Sequence, residues 1–358
     1  MEKPRLFLYV FILLEITAAT ALTNKFVNNI SGNSVYVFGT LITSSSNPAD
    51  NDTILKTDMC SIAEPDNRKM LPDCSCVINF GSVPIEPFTL ATNSAGFRDY
   101  EYEKEHPSTY RIIFLGDSVV AGYGVGLNDT VAKVLERMLT KAQGRKVEVL
   151  NLGVSGSNTF TEAKRLEELG LSYKPDMVII GFHGNDLENY TKIYKCQQNA
   201  SKKYDGMNMS KAENILGITK ASLLCVEDDW ADMSGTSNDE LYGMRVEPSM
   251  EKIYNLSVKN GFDVFVVTSF FDRPFPPNYL GSLRKITDKF GWELIDVNGY
   301  VGNLTDGYRI EPYVLNGRDF HPNSLGHTLM AEYIFRNIND SVSSEIASRY
   351  SDGITLPN

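Results

Sequence analysis

Tyr110-Arg111-Ile112-Ile113-Phe114-Leu115-Gly116-Asp117-Ser118 is the stretch that decides the fold. Its apolar run from Arg111 to Leu115 is short and stops at a glycine. It reads as a strand covered on both faces, running into a tight turn. The same pattern recurs downstream with helical spacing in between. Residues 130–142 form a helix with Val131, Val134, Leu135, Met138 and Leu139 on one face, and 147–152 form a second strand. Residues 159–171 are helical, and 177–182 form a third strand that is apolar throughout. A helix over 249–259, a strand over 263–269, a helix over 280–290, a strand over 293–297 and a closing helix over 324–347 complete the series. Strands that alternate with helices pair in parallel through right-handed crossovers. The expected fold is therefore an α/β/α three-layer sandwich around a parallel sheet of about five strands.

Either side of this core the pattern changes. Lys3 and Arg5 precede the apolar run Leu6 to Leu14, and Ala19-Thr20-Ala21 follows. Residues 1–23 thus read as a secretory signal with an A-x-A cleavage site, or as an uncleaved anchor; Glu15 argues against a spanning helix. Either reading puts the rest of the chain outside the cytosol, secreted or held at the cell surface. Membrane contact is expected only through this segment. Residues 24–105 are polar and mixed, an N-terminal extension with a strand at Phe88 to Ala91 and a turn at Asn93 to Gly96. The main domain is expected over 106–348. Within it, residues 187–248 contain no strand and leave the end of the third strand as a lid-like insertion.

The chain has 358 residues with 34 basic and 45 acidic side chains, a net charge of −11. That balance excludes a basic nucleic-acid-binding surface. Nine N-x-S/T sequons, at Asn29, Asn51, Asn128, Asn189, Asn199, Asn208, Asn255, Asn303 and Asn339, are candidate glycosylation sites in an extracytoplasmic protein. The five cysteines fit an oxidising compartment, with a disulfide between Cys196 and Cys225 and a second among Cys60, Cys74 and Cys76. Zinc is the alternative for Cys74-Ser75-Cys76, a weak metal signal without a second pair, and no required metal or cofactor is expected. Neither a phosphate loop nor a dinucleotide fingerprint is present, because Gly122-Tyr123-Gly124-Val125-Gly126 lacks the spacing.

Chemistry-bearing residues gather after successive strands, so they meet at one edge of the sheet. Ser118 opens a helix after the first strand, where the backbone N–H and the helix dipole face a developing negative charge. Gly153 and Gly156 follow the second strand, and a glycine lets backbone approach a ligand. Gly184-Asn185-Asp186 follows the third, where an amide side chain can donate to an oxyanion. Asp319-Phe320-His321-Pro322 precedes the last helix and offers a base with a carboxylate nearby. Asp117 and Asp186 are read as turn organisers, His183 as a substrate or structural contact, His327 as packing or capping, and His106 as solvated. Phe271 to Pro277, after the fourth strand, reads as a pocket wall or a rigid connection.

In this order the blocks resemble the SGNH/GDSL hydrolase superfamily over about residues 88–347. The resemblance implies a flavodoxin-like fold and hydrolysis of carboxylic esters through an acyl-enzyme, without a cofactor. Carried over position by position, it implies Ser118 as nucleophile, His321 as base, and an oxyanion hole of the Ser118 and Gly156 N–H groups and the Asn185 side chain. The common pattern puts the acid three residues before the histidine. Here that position is Arg318, and the carboxylate is Asp319, two before. Asp319 is taken as the third member, with a Ser–His dyad as the alternative. Short acyl or O-acetyl esters on carbohydrate are the first substrate expectation, and short-chain lipid esters the second. An O-acyltransferase using the same residues, and a non-catalytic glycan-binding surface protein of the same fold, are the rival readings.

Overall fold

Among the described residues, six short strands precede the central sheet and pair as three antiparallel hairpins. They are β1 (Ser34–Val37) with β2 (Thr40–Thr43), β3 (Ser61–Glu64) with β4 (Asn67–Met70), and β5 (Ser75–Ile78) with β6 (Phe88–Ala91). The structure is a computed structural model that describes residues 34–37, 40–43, 60–78, 88–205, 221, 224–229, 231–233, 236–268, 279–304, 311–316 and 319–350. The N-terminal apolar run, Asn29, Asn51, Asn208, the loop Phe271 to Pro277 and the Asp319 side chain lie outside that description. No helix among the described residues is long and apolar enough to cross a membrane.

The central sheet contains β7 (Tyr110–Gly116), β8 (Val147–Gly153), β9 (Met177–Phe182), β10 (Asp263–Thr268) and β11 (Glu293–Asp296). All neighbours are parallel, in the order β11-β10-β9-β7-β8. That is the flavodoxin-like arrangement, with its switch point between β7 and β9. β7, β8 and β9 are buried at every position, as a strand sandwiched between helices must be.

Period-two alternation divides the core between the two faces of the sheet. Tyr110, Ile112 and Phe114 of β7 pack with Val131 and Leu135 of α2 (Val131–Gln143), Val301 of α8 (Val297–Leu304), and Ile334 and Ile338 of α9 (Ser324–Tyr350). Ile113 and Leu115 face α3 (Thr159–Glu168), α6 (Glu247–Asn260) and α7 (Tyr279–Phe290) through Leu166, Ile253 and Leu283. Thr130 caps α2, accepting from the Lys133 N–H, and Asn158 caps α3 by accepting from the Thr161 N–H. Two further helices, α4 (Tyr190–Asp205) and α5 (Asn238–Arg245), lie in the insertion.

The five expected sheet strands are present, each within a residue or two of its expected bounds. The helix expected over 159–171 ends at Glu168 and passes into a 3-10 turn at Gly170–Tyr173. Disulfides join Cys60 to Cys74 and Cys196 to Cys225, leaving Cys76 as a buried thiol. The first disulfide closes the base of the β3–β4 hairpin. A third apolar cluster gathers Cys60, Met70, Cys76, Phe88 and Leu90 from the hairpins with Ala121, Tyr123 and Val154 from the segments that follow β7 and β8 at the carboxyl edge of the sheet. The N-terminal extension is therefore built onto the edge that carries the functional loops.

Candidate active site

β7 ends at Gly116, where a Cβ would strike the Val120 side chain, and Asp117 then caps the four-residue helix α1 (Ser118–Ala121). Asp117 Oδ1 accepts the Val119 N–H at 2.9 Å, which fixes the turn and leaves Ser118 half-buried at the helix start. Ser118 Oγ lies 2.8 Å from His321 Nε2, within hydrogen-bond reach for transfer of the hydroxyl proton to the ring. The two residues are 203 positions apart in the chain.

His321 sits on β13 (Asp319–Pro322), which pairs with β12 (Val314–Asn316). The register shifts by one residue between their paired positions, a bulge of the kind that re-aims a side chain beside an active site. Tyr123 lies against the His321 ring, 4.7 Å between centroids, and Phe88 of β6 meets Tyr123 edge-on at 5.6 Å. The histidine is thus braced from the N-terminal hairpins.

Gly153, the last residue of β8, and Gly156, three residues further on, have different surroundings. A Cβ on Gly153 would lie 2.2 Å from the Ala121 N, so Gly153 permits close packing of α1 on β8. Gly156 is exposed, with φ +73°, a left-handed conformation that favours glycine. Asn185 lies in the 3-10 turn Gly184–Leu187 after β9. Its Nδ2 donates to Asp117 Oδ2 and to Ser157 O, both at 3.1 Å, while its Oδ1 is buried without a partner. Both amide protons are thus engaged by protein acceptors.

Asp186 organises that turn, as expected. Its Oδ2 accepts the His183 N–H at 2.6 Å, and its Oδ1 accepts from the Thr159 N–H and hydroxyl. Burial pushes the Asp186 carboxyl up to about 7, against the pull of those hydrogen bonds and helped by the charge of Asp117. Glu162, fully buried behind it with both oxygens unpartnered, is held well above the carboxylate range by burial and then by Asp186. His183 is buried at the turn. His106 is not simply solvated: its ring nitrogens lie 2.9 Å from Thr109 O and 3.0 Å from Tyr173 O and Lys174 O, bracing loops at the opposite end of the sheet.

Three arginines that no sequence motif marked hold this edge together. Arg98 is almost fully buried and donates to Ala121 O at 2.6 Å, to Val125 O at 2.5 Å and to Gly122 O, fixing the loop that carries Tyr123. Burial lowers it to about 10. Arg165 donates to Leu152 O, Arg68 O, Ser157 Oγ and Gly116 O, tying the ends of β7 and β8 to β4. Arg68 reaches Ser155 O at 2.7 Å. Their partners are mostly backbone carbonyls far away in sequence, which leave no local pattern to read.

Packing or capping was expected of His327, and the structure shows a cap on α2. Its Nδ1 accepts the Val131 N–H at 3.2 Å at the start of α2. Burial, with the charges of Arg98 and His321, lowers it from 6.5 to about 3. A depressed histidine contributes stability that is present above 6.5 and lost as pH falls towards 3. Asp186 and Glu162, both raised, work in the opposite sense. In His327→Asn, which keeps an acceptor for Val131, the melting temperature is therefore expected to fall less between pH 6.5 and 4 than in the wild-type chain. Parallel acid limbs would refute this assignment. The groups that move oppositely are common to both proteins and cancel in the difference.

Among curated proteins, no relative matches the chain. Several solved structures resemble it. LAE5, an alpha/beta hydrolase enzyme from the metagenome of Lake Arreo in Spain, is 15% identical over 63% of this chain and 94% of its own, with a TM-score of 0.41. A two-domain esterase (CEX) active on acetylated mannans is 18% identical over 70% of this chain and 52% of its own, with a TM-score of 0.43. A catalytic mutant of Axe2, an acetylxylan esterase from Geobacillus stearothermophilus, is 15% identical over 64% of this chain and 94% of its own, with a TM-score of 0.42. Residues 114–329, more than half of the 358, match the model of the GDSL-like lipase/acylhydrolase family, and the chain, an ester hydrolase, belongs to that family.

Proposed function

We propose that the protein is a serine esterase that removes short acyl groups, with O-acetyl esters on carbohydrate as its substrate class, outside the cytosol. The 2.8 Å approach of Ser118 Oγ to His321 Nε2 at the start of a helix carries the catalytic reading. Ser118 Oγ attacks the acyl carbonyl while His321 Nε2 takes its proton. The Ser118 and Gly156 N–H groups and Asn185 Nδ2 receive the oxyanion. The tetrahedral intermediate collapses, and His321 returns the proton to the departing alkoxide. Water, deprotonated by the same nitrogen, then attacks the acyl-enzyme and releases the acid and Ser118. Asp319, two residues before His321 in the sequence, is the carboxylate we assign to orient the imidazole and stabilise the imidazolium.

Two disulfides support an oxidising compartment, and with it the reading of residues 1–23 as an export segment. Tyr123 against His321, with the hairpins beyond it, walls one side of the site and favours a small acyl group. A series of p-nitrophenyl esters from acetyl to decanoyl, run beside peracetylated oligosaccharides, tests this. The expected result is kcat/KM highest for acetyl, with acetate released from the sugars. A maximum at eight or more carbons with no acetate release would refute the substrate class. Acetyl transfer to added oligosaccharide in preference to water would make the protein a transferase.

A further inference from the structure

The β3–β4 hairpin is fastened to the site edge from several sides. The Cys60–Cys74 disulfide closes its base, and the Leu71 N–H donates to Cys60 O at 2.7 Å. Asn67 Nδ2 donates to Glu168 Oε2 of α3 at 3.0 Å, and Arg165 Nη1 donates to Arg68 O at 2.8 Å. Tyr190 of α4 donates its hydroxyl to Glu64 O at 2.9 Å and to Asn67 O at 2.6 Å. The side chain this mounting delivers is Arg68. Its guanidinium supplies the three atoms nearest to a Cβ built on Gly156, Nη1 at 2.1 Å, Cζ at 2.8 Å and Nε at 3.4 Å. Nη1 donates to Ser155 O at 2.7 Å, and Nε is buried without a partner.

Ser155 O and the Gly156 N–H belong to one peptide unit. A trans peptide is planar, with its carbonyl and N–H directed to opposite sides of the C–N bond. A cation that holds the oxygen therefore sets where the N–H points. Gly156 needs such a restraint, because a glycine at φ +73° has no Cβ to limit rotation of the adjoining peptide. The guanidinium also draws electron density towards Ser155 O, which makes the N–H across the peptide a stronger donor. We propose that Arg68 is a positioning residue for the oxyanion hole: through Ser155 O it fixes and polarises the peptide whose Gly156 N–H receives the oxyanion. This rests on the esterase reading above and on Gly156 as its donor. It gives the N-terminal hairpin a catalytic purpose, since its loss would leave the peptide free to turn away.

The test compares the full chain with Arg68→Met and Arg68→Lys on p-nitrophenyl acetate. Rates are expressed per serine titrated by a fluorophosphonate, so that unfolded molecules drop out, and melting temperatures are recorded. Losing one oxyanion donor costs roughly 10²–10³ in kcat, and loosening it costs less. Arg68→Met is expected to lower kcat about tenfold to a hundredfold with KM within about twofold, because the interaction matters in the transition state. Arg68→Lys, whose ammonium can meet the same carbonyl as a point charge, is expected to recover part of kcat. Unchanged kcat per titrated serine with a lowered melting temperature would make Arg68 purely structural, and a rise in KM alone would make it a substrate contact. Either overturns the proposal. Should Arg68→Met not fold, Arg68→Gln takes its place under the same criteria. A wild-type chain that neither turns over the ester nor labels at Ser118 would instead defeat the esterase reading itself.

Discussion

Replacing either Ser118 or His321 by alanine is expected to lower kcat/KM for an acetyl ester by roughly 10⁴- to 10⁶-fold, the range seen when a Ser–His unit is broken. The double variant is expected to be no worse than either single one. Ser118 Oγ and His321 Nε2, 2.8 Å apart, act on the same proton, so losing one partner makes the other useless. Neither change should unfold the chain, since both side chains are only half-buried, Ser118 at the start of α1 and His321 on β13, in elements braced by other residues. Single-turnover and steady-state rates on the two singles and the double check this. Multiplicative losses would show two independent contributions, and a His321→Ala protein within tenfold of wild type would mean that another group takes the proton.

Asn185→Asp is the second large effect. The substitution keeps shape and volume and exchanges a two-proton donor for an acceptor. Asn185 Nδ2 now meets two acceptors, Asp117 Oδ2 and Ser157 O, at 3.1 Å each. A carboxylate at that place repels both, and it repels the oxyanion as it forms. Loss of the donor alone should cost roughly 10²–10³ in kcat, which is the expectation for Asn185→Ala. The aspartate should fall below that. Buried acceptors left without a donor also cost stability, about 1–3 kcal/mol. Asp117, nearly fully buried, is the acceptor that suffers most. The measurements are kcat for both variants and thermal melts at pH 5 and 8. The aspartate variant is expected to be the less stable at pH 8, where its carboxyl is ionised against Asp117. Equal kcat in the two variants would remove the electrostatic part of the argument.

What the sequence made legible follows from what carries a local signal. The sheet strands, four to seven residues long, and the helices α2, α3, α6, α7 and α9, ten residues or longer, were readable because each is a run with a clear period. β9 was readable from its unbroken apolar run, and α2 from its stripe ending at Gly144. Ser118, Gly156 and Asn185 were singled out because each follows a strand of the sheet, and His321 because it precedes the last helix; the structure brings Ser118 Oγ and His321 Nε2 within 2.8 Å. The hairpins β3–β4 and β12–β13 were not: strands of three or four mixed residues have no period to detect. The helix α8, which starts at Val297 where the last strand was expected to end, has glycines at positions 299 and 302 that mask it. Arg68, Arg98 and Arg165 act on carbonyls that only the fold brings near, so their purpose appears with the tertiary structure. His106 was misread for the same reason, since two of its carbonyl partners lie some 67 and 68 residues away.

The central claim is that Ser118 is an activated nucleophile, and fluorophosphonate labelling of the folded chain, with the modified residue mapped by mass spectrometry, tests it most directly. The account predicts one adduct per molecule, on Ser118, formed at a rate that collapses in His321→Ala and falls in Asn185→Ala. A folded wild-type chain that takes up no label, or labels on another residue at a rate indifferent to His321, would contradict it.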